Sequence, residues 1–162
     1  MKTAVMYGAG NIGRGFMGQL FSESGYRTVF LDINSDVIDA LNRDGEYPVK
    51  IVCNDYQKEI AVRNVSGVNS MDSAAAAEQI AACDILCTAV GVNVLPKIIP
   101  VLSEGIKLRS KTSRELNIII CENKLNADSY MKNMVKEYLP KEYHDFLENK
   151  VGFIEASVGR MV

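Results

Sequence analysis

Tyr7-Gly8-Ala9-Gly10-Asn11-Ile12-Gly13-Arg14-Gly15-Phe16 is the stretch that decides the fold. Just before it, Lys2–Tyr7 is a compact apolar run that ends in glycine, the pattern of a buried strand. Just after it, Asn11–Ser24 carries Ile12, Phe16, Leu20 and Phe21 at helical spacing and stops at Gly25. Gly8, Gly10 and Gly13 therefore form GxGxxG between a strand and a helix, and that context gives weight to a pattern that is weak alone. Gly8 lets the chain turn sharply out of the strand. Gly10 leaves a pyrophosphate room to approach the backbone, and Gly13 lets the helix pack closely on the strand. The N–H groups of the first helical turn, at the positive end of the dipole, then face the phosphates.

Working outward, Arg27–Leu31 is β-branched and aromatic, a second strand, and Asp32 closes it 19 residues beyond Gly13. A carboxylate at that place can accept from both hydroxyls of an adenosine ribose and repels a 2′-phosphate, so NAD is favoured over NADP. Ser35 is the expected N-cap of a helix through Val37, Ile38 and Leu41 that ends near Gly45. Tyr47–Val52 and Glu59–Val65, separated by a turn with Asn54 and Asp55, read as an inserted hairpin. Val65–Asn69 is either a third core strand or the hairpin's end.

Farther on, Ser73–Ala82 is an alanine-rich helix, Asp84–Val90 a continuous apolar strand, and Val94–Leu102 helical. Glu104–Glu115, charged and rich in hydroxyls, reads as a solvated surface connection. Leu116–Cys121 is the most hydrophobic strand; Asp128–Leu139 and Lys141–Asn149 are helical, and Val151–Ile154 is a last strand. Alternating strands and helices imply parallel pairing with crossovers on both faces. The count of about six core strands suits two mononucleotide-binding halves side by side. The expected fold is thus one α/β domain over residues 1–162, a Rossmann doubly wound parallel sheet with an inserted hairpin. Ala89-Val90-Gly91 would cover the middle of the dinucleotide beside the switch point.

Composition excludes other classes. Of 162 residues, 18 are Lys or Arg and 20 are Asp or Glu, a balance that argues against a nucleic-acid surface. No apolar run reaches the roughly 18–20 residues of a membrane span. The first apolar stretch, Ala4–Tyr7, is too short for a signal sequence, so a cytoplasmic location is expected. Cys53, Cys83, Cys87 and Cys121 form no CxxC pair and the single histidine is His144, which points to buried free thiols and no metal site.

YGAGNIGRGF (Tyr7–Phe16), TAVG (Thr88–Gly91), NIIICEN (Asn117–Asn123) and VGFIEASVGRMV (Val151–Val162) resemble, in order and spacing, the long-chain polyol dehydrogenase family. The resemblance implies that Tyr7, Gly8, Ala9, Gly10, Asn11, Ile12 and Gly13 hold the pyrophosphate of NAD and Asp32 the adenosine ribose. Val90 and Asn123 then lie near the nicotinamide. Phosphate-specific members carry an acid where Glu155 stands, and members acting on the free sugar carry an asparagine, so a polyol phosphate is the implied substrate. Val158-Gly159-Arg160 departs from the family's usual VDR. In the family a mostly helical second domain supplies the lysine base with its histidine and asparagine neighbours. Here the sequence stops at Val162, so the expectation is an isolated coenzyme domain with no catalytic residue of its own. Lys124 and His144 are read as structural or surface groups. Three other readings stand beside it: a stand-alone NAD-binding or redox-sensing module acting through a partner, the coenzyme domain of a related polyol or uronate dehydrogenase, and a methyltransferase, which also pairs a glycine-rich loop with an acid after its second strand.

Overall fold

The computed structural model describes residues 1–162. The first half of the chain contains β1 (Thr3–Tyr7), a π-helical turn (Gly13–Met17) running into α1 (Gly18–Glu23), β2 (Arg27–Asp32) and α2 (Ser35–Asp44). It continues through β3 (Glu46–Val52), β4 (Gln57–Arg63), β5 (Val65–Asn69) and α3 (Ser73–Ala82). The second half contains β6 (Ile85–Thr88), α4 (Leu95–Ser110), β7 (Leu116–Ile120) and α5 (Ala127–Tyr138). A 3-10 turn (Lys141–Tyr143), α6 (His144–Lys150) and β8 (Val151–Glu155) complete it. Six strands form one sheet in the order β5-β2-β1-β6-β7-β8, all paired in parallel. This is the expected Rossmann arrangement. The strand order reverses between β1 and β6, which opens a crevice at their carboxyl ends.

Strands buried on both faces read as unbroken apolar runs, although their side chains still alternate. Val5, Tyr7, Val29, Leu31, Leu86, Ile118 and Ile120 join the larger cluster beneath α3, α4, α5 and α6. Ala4, Met6, Phe30 and Cys87 face the other way, into a smaller cluster with Met17, Phe21, Leu41 and Val62. Each fully buried side chain of this size contributes about 1.5–3 kcal/mol, so the larger cluster carries most of the apolar stabilisation.

β3 and β4 pair antiparallel as a separate two-stranded sheet. The insertion's ends meet, since the Val65 N–H donates to the Gly45 carbonyl at 3.2 Å. One hairpin face packs on the domain: Val62 is fully buried, and the Tyr47 ring meets Phe30 edge-on at 6.0 Å. Val65–Asn69 is the third core strand, paired with Thr28–Asp32, and not the hairpin's end.

Several local expectations need correction. The N-cap of α2 is Asn34, whose side chain accepts the Val37 N–H at 3.3 Å; Ser35 is the first helical residue. α4 continues past Leu102 to Ser110 and absorbs half of the stretch expected as a surface connection. Three residues draw it inward. Gly105 lies so close to Ile80 that no side chain fits there, and Ile106 is fully buried. Arg109 is only 1% exposed because its guanidinium donates to the carbonyls of Ala81, Cys83, Arg114 and Glu115.

In the first helix Leu20 was expected on the buried stripe, yet it is 37% exposed. The π turn is the reason. The Gly18 N–H bonds to the Gly13 carbonyl five residues back, so the inward positions run Ile12, Met17, Phe21. Among the thiols, Cys83 and Cys87 are buried and Cys121 is half-buried, but Cys53 is exposed at the hairpin turn. Burial pushes the Cys83 thiol up to about 12. The sulfurs of Cys87, on β6, and Cys121, just past the end of β7, lie 3.7 Å apart, and no helix is long and apolar enough to cross a membrane.

Candidate functional site

The crevice is bordered by the carboxyl ends of β2, β1, β6 and β7. Gly8 leaves β1 at φ +104°, a backbone conformation that side-chain-bearing residues rarely adopt, and a Cβ there would overlap the Ala89 carbonyl. The turn is pinned on both sides: the Gly8 N–H donates to Leu31 at 2.8 Å, and the Ala89 N–H donates to Tyr7 at 2.9 Å. Gly10 is exposed, with nothing within 4 Å of the place a Cβ would occupy. That is the opening a phosphate group needs. Gly13 is closed instead, since a Cβ there would overlap the Gly8 carbonyl. Its bareness therefore lets the turn fold onto itself as well as bringing helix to strand. Arg14 braces the same turn, donating from Nε to the Ala9 carbonyl at 2.6 Å.

Asp32 stands directly against these glycines. Its Oδ2 accepts the Ala9 N–H at 2.6 Å and its Oδ1 accepts the Asn34 N–H at 3.0 Å. The side chain is half-buried, and a carboxylate oxygen with one donor still has a lone pair for another. Asp32 and the glycine turn are thus one unit, joined by a bond that spacing alone could not reveal.

The other expected site residues divide between backbone and side chain. Tyr7 is 4% exposed, with its ring in the larger cluster. Burial raises its phenol above the ordinary range while the Ser70 hydroxyl beside it opposes the shift. The Ile12 side chain packs into the smaller cluster and Ala9 is buried. Tyr7 and Ile12 can therefore border the crevice only through their main chains. Asn11 is exposed at the helix start. Across the switch point, Val90 is half-buried against the larger cluster, and Asn123 is exposed just beyond β7.

One group in the crevice escaped the sequence reading. Glu122 is 8% exposed, and its carboxylate accepts two consecutive amides at 2.9 Å, Val90 N–H on Oε1 and Gly91 N–H on Oε2. The available signal was an acid just past the end of an apolar strand, the same signal that drew attention to Asp32.

Glu155 is engaged elsewhere. Its Oε2 accepts the Ala127 N–H at 2.8 Å and so caps α5, which Asn126 enters at φ +54° without a side-chain cap. Lys124 lies over the Tyr130 ring, 4.1 Å from its centre, and His144 Nε2 is 3.0 Å from the Leu139 carbonyl oxygen. Beyond β8 the chain returns toward the first helix, where Arg160 donates to Gln19 at 2.8 Å and stacks over Phe16. A Cβ at Gly15 would overlap Val162. Bareness at Gly15 thus serves the last residues and not the crevice.

A family model described as the mannitol dehydrogenase Rossmann domain matches residues 2–162. The chain is 41% identical over 161 residues to a mannitol-1-phosphate 5-dehydrogenase of Buchnera aphidicola (subsp. Acyrthosiphon pisum, strain Tuc7), covering 98% of this chain and 42% of that relative. It is 42% identical over 160 residues to the mannitol-1-phosphate 5-dehydrogenase of Anoxybacillus flavithermus, again covering 98% and 42%. The chain therefore spans less than half the length of these relatives. Among solved structures, a UDP-glucose dehydrogenase from Pyrobaculum islandicum superposes with a TM-score of 0.62 at 18% identity, over 97% of this chain and 35% of that one. That likeness bears on the fold alone.

Proposed function

The chain belongs to the mannitol dehydrogenase family through its Rossmann domain, and from that premise we propose that it binds NAD(H) for an oxidoreductase interconverting mannitol 1-phosphate and fructose 6-phosphate. Bound NAD supplies the hydride acceptor. The observation that carries the reading is the joined unit of Asp32 and the glycine turn: a carboxylate bonded to Ala9 beside an unobstructed Gly10. Asp32 accepts ribose hydroxyls on its remaining lone pairs, and its charge disfavours a 2′-phosphate. The turn from Gly8 to Gly13 cradles the pyrophosphate. Val90 and Asn123 border the nicotinamide end, where the main chain of the turn meets the end of β6. Family membership sets the methyltransferase reading aside.

Within these 162 residues the chain acts as the coenzyme platform. Oxidising a polyol needs a base for the hydroxyl proton and donors for the developing oxyanion. Lys124 on Tyr130, His144 on Leu139 and Glu155 on Ala127 are each occupied by structural contacts. Proton transfer accordingly belongs to residues outside this sequence. Calorimetric titration should show NADH binding with a Kd of about 10 μM to 1 mM, worth roughly 4–7 kcal/mol, and weaker NADPH binding. The same preparation should leave mannitol 1-phosphate and fructose 6-phosphate unchanged. Equal affinity for NADPH would remove the role given to Asp32, and turnover by this chain would place the base within it.

A further inference from the structure

We propose that Glu122 is a positioning residue for the nicotinamide half of the cofactor, acting by holding the Val90–Gly91 turn; the inference rests on the NAD(H) reading above. Three observations meet in it. Glu122 is only 8% exposed although it lies just beyond the carboxyl end of β7, on the border of the crevice. A charge withdrawn from water to that degree must be met by hydrogen-bond donors. The donors here are two successive main-chain amides, one on each oxygen, in matched 2.9 Å bonds. Two consecutive peptide groups tied to one rigid fork cannot rotate independently.

The turn so held is the one that crosses the switch point. Gly91 sits at φ +92°, a conformation open to glycine and rarely adopted by residues with a side chain. On the opposite side, the Val90 side chain and the Ala89 carbonyl lie so close to Gly8 that a Cβ there would collide with the latter. The Val90–Gly91 turn is therefore clamped between the glycine turn of β1 and the carboxylate after β7. Such a clamp fixes where Val90 presents its side chain and main chain to a ring lying against it. Glu122 does this without contact to the ring, because it is buried behind the two amides it holds. It neither replaces a base nor binds the ribose. Its effect is confined to the nicotinamide end, since Asp32 and Gly10 stand across the switch point.

The test compares NADH with ADP-ribose, which lacks the nicotinamide, by calorimetry on the wild-type chain and on Glu122→Gln. The substitution keeps size but turns an NH2 donor toward an amide donor. The expected result is that the wild type binds NADH more tightly than ADP-ribose. Glu122→Gln should then lose about tenfold in NADH affinity, the scale of one hydrogen bond to a charged group, while ADP-ribose affinity stays within about twofold. The emission of bound NADH should shift toward that of the free cofactor. Equal losses for both ligands, no loss for either, or a wild type that gains nothing from the nicotinamide would overturn the inference while leaving NAD(H) binding intact. A wild type that binds neither ligand would overturn the NAD(H) reading itself. If Glu122→Gln does not fold, Glu122→Asp, which keeps the charge but draws it back by one methylene, is read by the same criteria; failure of both to bind ADP-ribose counts against a local role.

Discussion

At the end of β2, Asp32 is half-buried and gives one oxygen to the glycine turn and the other to Asn34. At the end of β7, Glu122 is almost fully buried and gives both oxygens to the turn after β6. Each half of the sheet thus closes in the same manner, with an acid after one strand gripping the turn after its neighbour. The depth of burial separates their uses. A partly solvated carboxylate can exchange water for ribose hydroxyls at small cost. A buried one exchanges nothing and can only hold what it already holds. Recognition is therefore expected of the first half and geometry of the second.

The sharpest way to break this comparison is at the open glycine. Gly10→Val places side-chain atoms where the pyrophosphate would lie but meets no protein atom. NADH binding should fall below detection by calorimetry, with thermal stability unchanged to within about 0.5 kcal/mol. Gly13→Val should do the reverse in the same assays. Its Cβ would overlap the Gly8 carbonyl, so the fold should lose about 1–3 kcal/mol, and the melting temperature should drop by roughly 2–4 °C for each kcal/mol. Similar behaviour of the two variants would mean that the turn does not divide its labour in this way.

Asp32→Ala sharpens the contrast further. Loss of a charged acceptor typically costs about 1.5–3 kcal/mol, so NADH affinity should fall about 10- to 150-fold and the gap to NADPH should narrow. Because Asp32 also holds Ala9, its removal should lower stability as well, measurable in melts without ligand. The smallest effect belongs to the hairpin. The Tyr47 hydroxyl donates to the Arg14 carbonyl in the π turn at 2.7 Å, and Tyr47→Phe should cost about 0.5–1.5 kcal/mol. NADH binding should change less than it does in Asp32→Ala; a larger loss would tie the hairpin directly to the cofactor.

Asp32 and the glycine turn were legible because their signals are local: a pattern within six residues and an acid closing an apolar strand. Glu122 has the second signal but not the first. Its partners lie 31 and 32 residues back along the chain, so nothing near it announces a turn to be held. The far end of α4 was hidden for a related reason. Arg109 counts as surface in any apolar pattern, yet its charge is spent on four buried or half-buried carbonyls. The misplaced Leu20 has a third cause, since a single wide turn changes the period that the eye assumes. In each case the missing information was a main-chain partner, which side-chain chemistry does not display.

The bond between Val65 and Gly45 has a consequence for the chain's tolerance of change. Residues 46–64 leave and re-enter at a joint that is already closed, so the crossover from β2 to β5 does not depend on how many residues lie between. Entropy penalises added length there only weakly, about 0.6 kcal/mol for each doubling of a flexible loop. The exposed turn from Cys53 to Tyr56, farthest from that joint along the ladder, is where a tag or a whole guest domain could be spliced in while β2 and Asp32 keep their register.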